Sequence, residues 1–274
     1  MKHRLFLLRA YGDASIALYF LANSPLKNEF KVIASSHLKP LITALCNYIH
    51  IGSLDIEYIH LGINKSQLNL FTNRHFISMD TLTQVKKIKQ FLRLNPNPNG
   101  LDYMEQANKL NILNFLLRKD FKAIVNDKNV YDEMQHFFNT PLVLHNAADP
   151  IKNILILPDA RIANRKIPIS VIEYLKTSLT QKNKLVTLAY FSSHKNVDQD
   201  TKNYSNFNEL LTLIKEADFV FGSDSLGIHL SNALQKPHCI LYPKNGSKAF
   251  FTPFSIEHKC FATFDNVTSI QLPI

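Results

Sequence analysis

Short apolar runs alternate with helix-like segments along the chain, and this order limits the fold more than any other feature. In the first half, the runs 4–10 (RLFLLRA), 30–36 (FKVIASS) and 54–61 (LDIEYIHL) are typical of strands. Two segments with helical spacing of apolar residues, 13–24 and 38–49, separate them. A β-α-β-α-β order predicts a doubly wound parallel sheet.

The second half repeats the alternation. Strands are predicted at 153–158, 184–191, 218–223 and 238–242. Helices are predicted between them at 169–179, 206–217 and 227–235. Between the halves, 81–94 is a basic amphipathic helix, 108–125 is a helix followed by a strand or a second helix, and 141–153 resembles a linker. The sequence therefore predicts an α/β protein with two Rossmann-like domains, 1–147 and 148–274, that face a central cleft.

Composition favours an anionic partner without choosing one. Lys and Arg (31) exceed Asp and Glu (22), which gives a net charge of +9. This charge suits phosphates, nucleic acid or an anionic membrane face, and genomic base composition explains it equally well. The sequence contains no recognition helix with clustered base-reading residues and no aromatic stacking platform, so no nucleic-acid partner is predicted.

Cellular location is predicted from cysteines and apolar runs. The three cysteines form no CxxC pair and no disulfide framework, which favours a reducing, cytoplasmic setting. The apolar run at 5–8 is too short for a signal peptide, and no run approaches the ~18 apolar residues of a membrane span.

The first strand-to-helix turn, 9–13 (RAYGD), is a candidate site. A strand ends there, Gly12 permits a bend, and Asp13 begins a helix. Ligands bind at the carboxyl ends of strands in open α/β sheets, so Asp13, with Arg9 and Gly12, is placed to meet one. The alternative is that Asp13 only caps the helix and favours its dipole.

A second candidate turn lies at 217–242 (ADFVFGSDSLGIHLSNALQKPHCILY), between a strand and a helix. The helix N-terminus suits an anion such as a diphosphate, and Ser225 and His229 could donate to it. Gly222 would keep a side chain out of the site, and Gly227 would loosen the turn. The alternative is a plain cap from Asp224 or Ser225, with His229 as a packing residue.

A basic loop, 159–168 (DARIANRKIP), follows the strand 153–158. Arg161, Arg165 and Lys166 could compensate the charge of a leaving diphosphate, or they could form a solvated loop. The sequence has no HxxxH, HExxH or DxD pattern, so no metal site is predicted. It also lacks GxGxxG, a P-loop and a GxSxG elbow.

Three segments together resemble the lipopolysaccharide heptosyltransferase family of glycosyltransferases, glycosyltransferase family 9. They are the N-terminal strand with Gly12 and Asp13, the RKIP stretch at 165–168, and DSLGIHLSNALQKP at 224–237 followed by a strand. This resemblance implies a GT-B fold, with 1–147 as the acceptor domain and 148–274 as the nucleotide-sugar donor domain. It also implies sugar transfer from a nucleotide-diphosphate donor, often ADP-heptose, with inversion and without a metal or other cofactor.

The resemblance also implies a role for each matching residue. Asp13 matches the general base that deprotonates the acceptor hydroxyl. Arg165, with Lys166 in reserve, matches the cation that neutralises the leaving diphosphate. The remaining matches are to donor-binding positions: Asp224, Ser225, Gly227 and His229.

Several positions depart from the family pattern. Leu226 stands where the family has its glycine, and Gly227 comes one residue later. Ile167 is at the position of a tryptophan in the family. The family also has an acidic residue that binds the donor's ribose, and only Asp198 or Asp200 could replace it here. The sequence also ends before the family's final helix. These departures leave the donor's identity open.

The sequence therefore predicts a cytoplasmic, inverting, metal-independent glycosyltransferase that moves a heptose-like sugar or hexose to a lipopolysaccharide-core or other surface-glycan acceptor. Two alternatives stay open. One is a non-catalytic nucleotide-sugar-binding relative, and the other is a sugar-nucleotide epimerase or hydrolase on the same scaffold.

The basic helix 81–94 suggests a further partner. Lys86, Lys87, Lys89 and Arg93 could dock the protein peripherally on the inner membrane leaflet, where a glycolipid acceptor lies. The alternative is a solvated face that only supports solubility.

Overall fold

The computed structural model of the chain describes residues 2–8, 10–62, 79–106, 110–126, 128–141, 150–191, 201–243 and 261–269. The chain divides into two units, Met1–Pro141 and Leu142–Ile274. The predicted domain boundary after residue 147 falls within 142–149, outside the described residues.

The first unit contains a five-stranded sheet. Its elements in chain order are β1 (His3–Leu7), α1 (Tyr11–Ala22), β2 (Phe30–Ser35), α2 (Lys39–Leu45), β3 (Asp55–Ile59), α3 (Met79–Leu94), β4 (Asp102–Gln106), α4 (Leu110–Leu117), β5 (Lys122–Val125) and α5 (Val130–Phe137). The strand order is β3-β2-β1-β4-β5, and neighbouring strands pair in parallel. The order reverses direction at β1 and β4, which makes the carboxyl ends of these two strands the switch point where such sheets bind ligands.

The second unit contains a six-stranded sheet. Its elements are β6 (Asn153–Leu157), α6 (Ile169–Gln181), β7 (Leu185–Phe191), β8 (Thr201–Tyr204), α7 (Phe207–Glu216), β9 (Phe219–Ser223), α8 (Leu226–Ala233), β10 (His238–Tyr242) and β11 (Phe261–Thr263). The order is β11-β10-β9-β6-β7-β8, again with parallel pairs. The switch point of this sheet therefore lies between β6 and β9.

Burial explains why the apolar runs became strands. Parallel strands covered by helices on both faces need near-continuous apolar sequence, and every residue of β9 and β10 is buried. The core of the second unit includes Ile156, Phe221 and Leu241 from neighbouring strands, together with Leu175 from α6.

The predicted α/β class and the alternating order are confirmed, but three strands were not predicted. They are β4, β8 and β11. β4 escaped prediction because its sequence, DYMEQ, is polar. Its Asp102 and Glu105 are nevertheless buried, Asp102 by pairing with Arg4 on β1.

No helix in the described ranges is long and apolar enough to cross a bilayer. The predicted basic helix is present as α3, which starts two residues before the predicted position. Lys86 and Arg93 are exposed on it, whereas Lys87 and Lys89 are partly buried.

Candidate functional site

The switch point of the second sheet gathers most of the predicted donor-binding residues. β6 is followed by Asp159 and the basic loop, and β9 is followed by Asp224 and the start of α8. The two turns are tied together, because the Ser223 hydroxyl donates to the backbone oxygen of Asp159 at 2.9 Å. Two segments far apart in sequence thus form one edge of the sheet.

An ion pair between Arg165 and Asp224 lies at this edge of the sheet. Arg165 Nη1 lies 2.8 Å from Asp224 Oδ2, and the Asp224 side chain is only 4% exposed. Arg165 remains 34% exposed. A guanidinium carries five N–H donors in a planar fork, so contact with Asp224 at one nitrogen leaves capacity to bind an anion from the solvent side.

The loop that carries Arg165 is anchored in the core. A short 3₁₀ turn, Ala163–Arg165, precedes Ile167, whose backbone N–H donates to the oxygen of Pro158 at 3.0 Å. Ile167 itself is 4% exposed and packs in the core of the second unit. Packing of the Ile167 side chain therefore anchors the loop.

Lys166 is paired with a carboxylate that sequence reasoning missed. Its Nζ lies 3.4 Å from Asp159 Oδ1, while Asp159 Oδ2 accepts from the backbone N–H of Phe191 at 3.2 Å. Asp159 thus connects the end of β7, the basic loop and, through its backbone, Ser223. The available signal was an acid directly after a buried strand, but only the cations of this loop were singled out.

His229 is a neutral imidazole rather than a cation. It is the fourth residue of α8 and is buried, and its Nε2 lies 4.0 Å from Asp224 Oδ1, beyond hydrogen-bond distance. Burial and the neighbouring Arg165 charge lower the pKa of His229 to about 4. Near pH 7 this residue can donate one hydrogen bond and accept another, but it adds no positive charge.

Ser225 occupies the N-cap position of α8, with extended backbone angles (φ −152°, ψ 175°). The Ser225 side chain makes no capping hydrogen bond to α8, so the alternative in which Ser225 is a plain cap is wrong. The N–H groups in the first turn of a helix are groups that can bind an anion.

The two glycines serve packing instead of turn geometry. A Cβ on Gly222 would stand 2.7 Å from Ile228 Cγ1, and a Cβ on Gly227 would stand 2.6 Å from Leu157 Cδ1. Neither glycine has a positive φ. The prediction that Gly227 loosens the turn is wrong, because it lies inside α8 and lets the helix approach β6.

In the first unit, α1 begins earlier than predicted. Its first residue is Tyr11 and its N-cap is Ala10, so Gly12 lies within the first turn and does not form a bend. Asp13 is the third helical residue, half-buried, and not the cap. An acid there is still favoured by the helix dipole. Arg9 lies outside the described residues.

The two candidates for binding the donor's ribose, Asp198 and Asp200, are also outside the described residues, in the gap 192–200.

Within the described residues, no group of three or more His, Cys, Asp or Glu side chains is arranged to hold a metal ion.

Solved structures with a similar fold cover nearly the whole chain. The E. coli heptosyltransferase WaaC with ADP-2-deoxy-2-fluoro heptose has a TM-score of 0.60 at 12% identity, over 98% of this chain and 98% of that one. The glycosyl transferase family 9 protein from Veillonella parvula DSM 2008 has a TM-score of 0.59 at 9% identity, over 100% and 90%.

E. coli ADP-heptose lps heptosyltransferase II has a TM-score of 0.56 at 14% identity, over 96% of this chain and 90% of that one. No protein-family model matches the chain, and no curated protein matches it significantly. At sequence identities of 9–14%, the similarity to these structures shows a shared fold. The predicted GT-B fold and the structural resemblance to heptosyltransferases are confirmed.

Proposed function

We propose that this protein is an inverting, metal-independent glycosyltransferase that uses a nucleotide-diphosphate sugar. One observation carries the proposal: a partly exposed arginine, Arg165, is held by the buried Asp224 beside the N-terminus of α8, at the switch point of β6 and β9. Cationic side chains and helix N-termini are the groups that stabilise a leaving diphosphate where no divalent ion is used.

In this proposal, Asp224 positions Arg165 and Arg165 binds the diphosphate. The sequence instead predicted a donor contact for Asp224. Two of the three cations of the loop are paired with carboxylates, Arg165 with Asp224 and Lys166 with Asp159. These four side chains carry no net charge, so affinity would come from directed hydrogen bonds of the guanidinium and the α8 backbone. Ser225 and the neutral His229 supply further donors.

The donor is proposed to be ADP-linked. Two of the structures of similar fold contain E. coli WaaC with ADP or with ADP-2-deoxy-2-fluoro heptose. The acceptor is proposed to be a lipopolysaccharide core or another surface glycan, and the protein would act at the cytoplasmic side of the membrane.

Asp13 is the proposed general base. Its carboxylate takes the proton of an acceptor hydroxyl while that oxygen attacks the anomeric carbon. The bond from this carbon to the diphosphate oxygen breaks, the nucleoside diphosphate leaves with the electron pair, and the anomeric centre inverts. Position supports this role, because Asp13 stands in the first turn of α1, directly after a switch-point strand.

A thermal-shift panel of ADP, UDP and GDP, with AMP as the control, tests the donor site. A ligand that binds only the folded protein stabilises it, by ~2.7 kcal/mol at 100 times Kd. We expect ADP to raise Tm by several degrees and AMP to raise it less. If no nucleoside diphosphate changes Tm, the donor assignment is overturned.

Asp13→Asn tests the base separately. Because the base acts on the acceptor, transfer should fall by ~10²–10⁴-fold while ADP binding stays within twofold of the native value. Loss of ADP binding in a folded variant would contradict the assignment.

We also propose that α3 contacts an anionic membrane surface that carries the acceptor. Lys86 and Arg93, seven residues apart, are both exposed on this helix, and Leu82 and Leu94 are exposed as well. Basic and apolar side chains together suit a bilayer interface.

The test is co-sedimentation with vesicles that contain phosphatidylglycerol. Lys86→Glu/Arg93→Glu should weaken binding by at least ~30-fold, because each of the two basic residues contributes about 1 kcal/mol near an anionic surface. The matched control reverses two exposed lysines of the second unit, Lys182 and Lys202. Equal binding by both double variants would overturn the membrane proposal.

A further inference from the structure

A second cluster of polar side chains lies at the carboxyl edge of the first sheet, where β2 and β3 end. The pairing of Ser35 with Ile59 brings Ser36 next to His60. Ser36 Oγ lies 3.1 Å from His60 Nδ1, and Ser35 Oγ lies 2.8 Å from His37 Nδ1. A serine hydroxyl therefore holds each imidazole at one ring nitrogen.

Tyr11 joins this cluster to α1. Its ring centroid lies 5.7 Å from that of His37, and its hydroxyl donates to the His37 backbone oxygen at 3.3 Å. Tyr11 is the first residue of α1, and Asp13 follows in the same turn. The cluster therefore borders the turn that carries the proposed base.

The side chains of this cluster are held by hydrogen bonds and can also be reached from the solvent. Tyr11, Ser36 and His37 are half-buried and His60 is exposed, so a ligand can reach them. The contact of each Nδ1 with a serine hydroxyl orients the ring and places Nε2 at its opposite side, with donor and acceptor roles set by the tautomer. Oriented imidazole nitrogens, which either donate or accept, suit a sugar when they lie next to an aromatic ring, because a sugar offers hydroxyl groups and an apolar face.

We propose that Tyr11, His37 and His60 form the subsite that binds the hydroxyls of the acceptor sugar. This inference rests on the proposed glycosyl transfer, in which Asp13 deprotonates a hydroxyl of the same sugar. His37 and His60 determine which acceptor is held and how it is oriented. Neither takes part in bond making.

Kinetics of His60→Ala and Ser36→Ala provide the first test. Each variant removes one hydrogen bond to the acceptor or the group that orients it, so the acceptor KM should rise about fivefold to tenfold. The kcat and the donor KM should stay within twofold. The matched control is His50→Ala, an exposed histidine outside the cluster. An acceptor KM within twofold of native in both cluster variants overturns the proposal.

The second test follows the histidine NMR signals of the native protein during titration with a delipidated lipopolysaccharide core oligosaccharide. The signals of His37 and His60 should shift, and that of His50 should not. Equal shifts with inorganic phosphate would overturn the sugar assignment and indicate a general anion site.

The two tests separate this inference from the proposed function. Transfer without an effect of the cluster variants contradicts only the subsite. If the native protein transfers no sugar, the proposed function fails, but the NMR titration still shows whether the cluster binds a sugar. Shifts at His37 and His60 then support a sugar site, and unchanged signals overturn it.

Discussion

Two Arg–Asp pairs, one in each unit, use the same chemistry with different results. Arg4 and Asp102 are 7% and 0% exposed and meet through two contacts, of 2.7 and 2.8 Å. Arg4 also donates to the backbone oxygen of Asn95, and Lys119 lies 3.2 Å from Asp102. In contrast, Arg165 contacts Asp224 at 2.8 Å and remains one-third exposed.

Position in the sheet explains the difference. Arg4 lies at the amino end of β1, and Asp102 begins β4, whereas Arg165 and Asp224 follow the carboxyl ends of β6 and β9. Open α/β sheets bind ligands at their carboxyl edge. A fully enclosed guanidinium stabilises the fold, while a partly exposed one next to a helix N-terminus can serve a ligand.

The largest expected effect is on stability, from Arg4→Met. The change leaves the buried Asp102 carboxylate with the partly exposed Lys119 as its cation, so the free energy of unfolding should fall by ~3–5 kcal/mol. Urea denaturation measures it. Asp55→Asn, which breaks the exposed Lys2–Asp55 pair, should cost under ~1 kcal/mol. If the two variants lose the same stability, the contrast between buried and exposed pairs does not hold.

The next effect concerns pH and sharpens the description of the second pair. The pKa of His229 is about 4 in the folded protein, against an ordinary value of 6.5. Between these two pH values, His229 is protonated in the unfolded chain and neutral in the folded protein. Stability should therefore be highest above pH 6.5 and fall by ~3 kcal/mol by pH 4.

His229→Gln should remove that part of the pH dependence, while the exposed His50→Gln should retain it. Denaturation at pH 7.5, 5.5 and 4.5 distinguishes them. An identical pH slope in the native protein and His229→Gln would show that this imidazole is not held neutral beside Arg165.

Close packing of α8 sets the position of Asp224, and Gly227→Ala tests it. The new methyl group would stand 2.6 Å from Leu157 Cδ1, so overpacking should cost ~1–3 kcal/mol. Leu157→Val removes that atom and should recover part of the loss in the double variant. Gly52→Ala is the control, since a Cβ there has no atom within 4 Å. Equal stability of both alanine variants would refute the packing role.

Local patterns predicted most of the fold because parallel strands must be apolar. β10, for example, matches its predicted bounds, His238–Tyr242. β4 was not predicted because the burial of Asp102 depends on its pairing with Arg4, 98 residues away, and no local pattern indicates such a pairing. β8 escaped because it is short and polar, with Lys202 and Asn203 exposed.

At the candidate site, the turns could be predicted and the contacts could not. The strand-to-helix turn before α8 and the basic loop after β6 were both located from sequence. The pairing of Arg165 with Asp224, the role of Asp159 and the neutral state of His229 depend on distances between segments. Gly227 was misread because its reason is Leu157, a residue on another strand.

The central claim is that Arg165 is the arginine that binds the donor's diphosphate. Isothermal titration of ADP into the native protein, Arg165→Lys and the control Arg93→Lys tests it directly. Lysine keeps the charge but loses the planar fork, so Arg165→Lys should bind ADP about tenfold more weakly, a loss of ~1.4 kcal/mol, while Arg93→Lys binds as the native protein does. Native affinity in Arg165→Lys would contradict the claim.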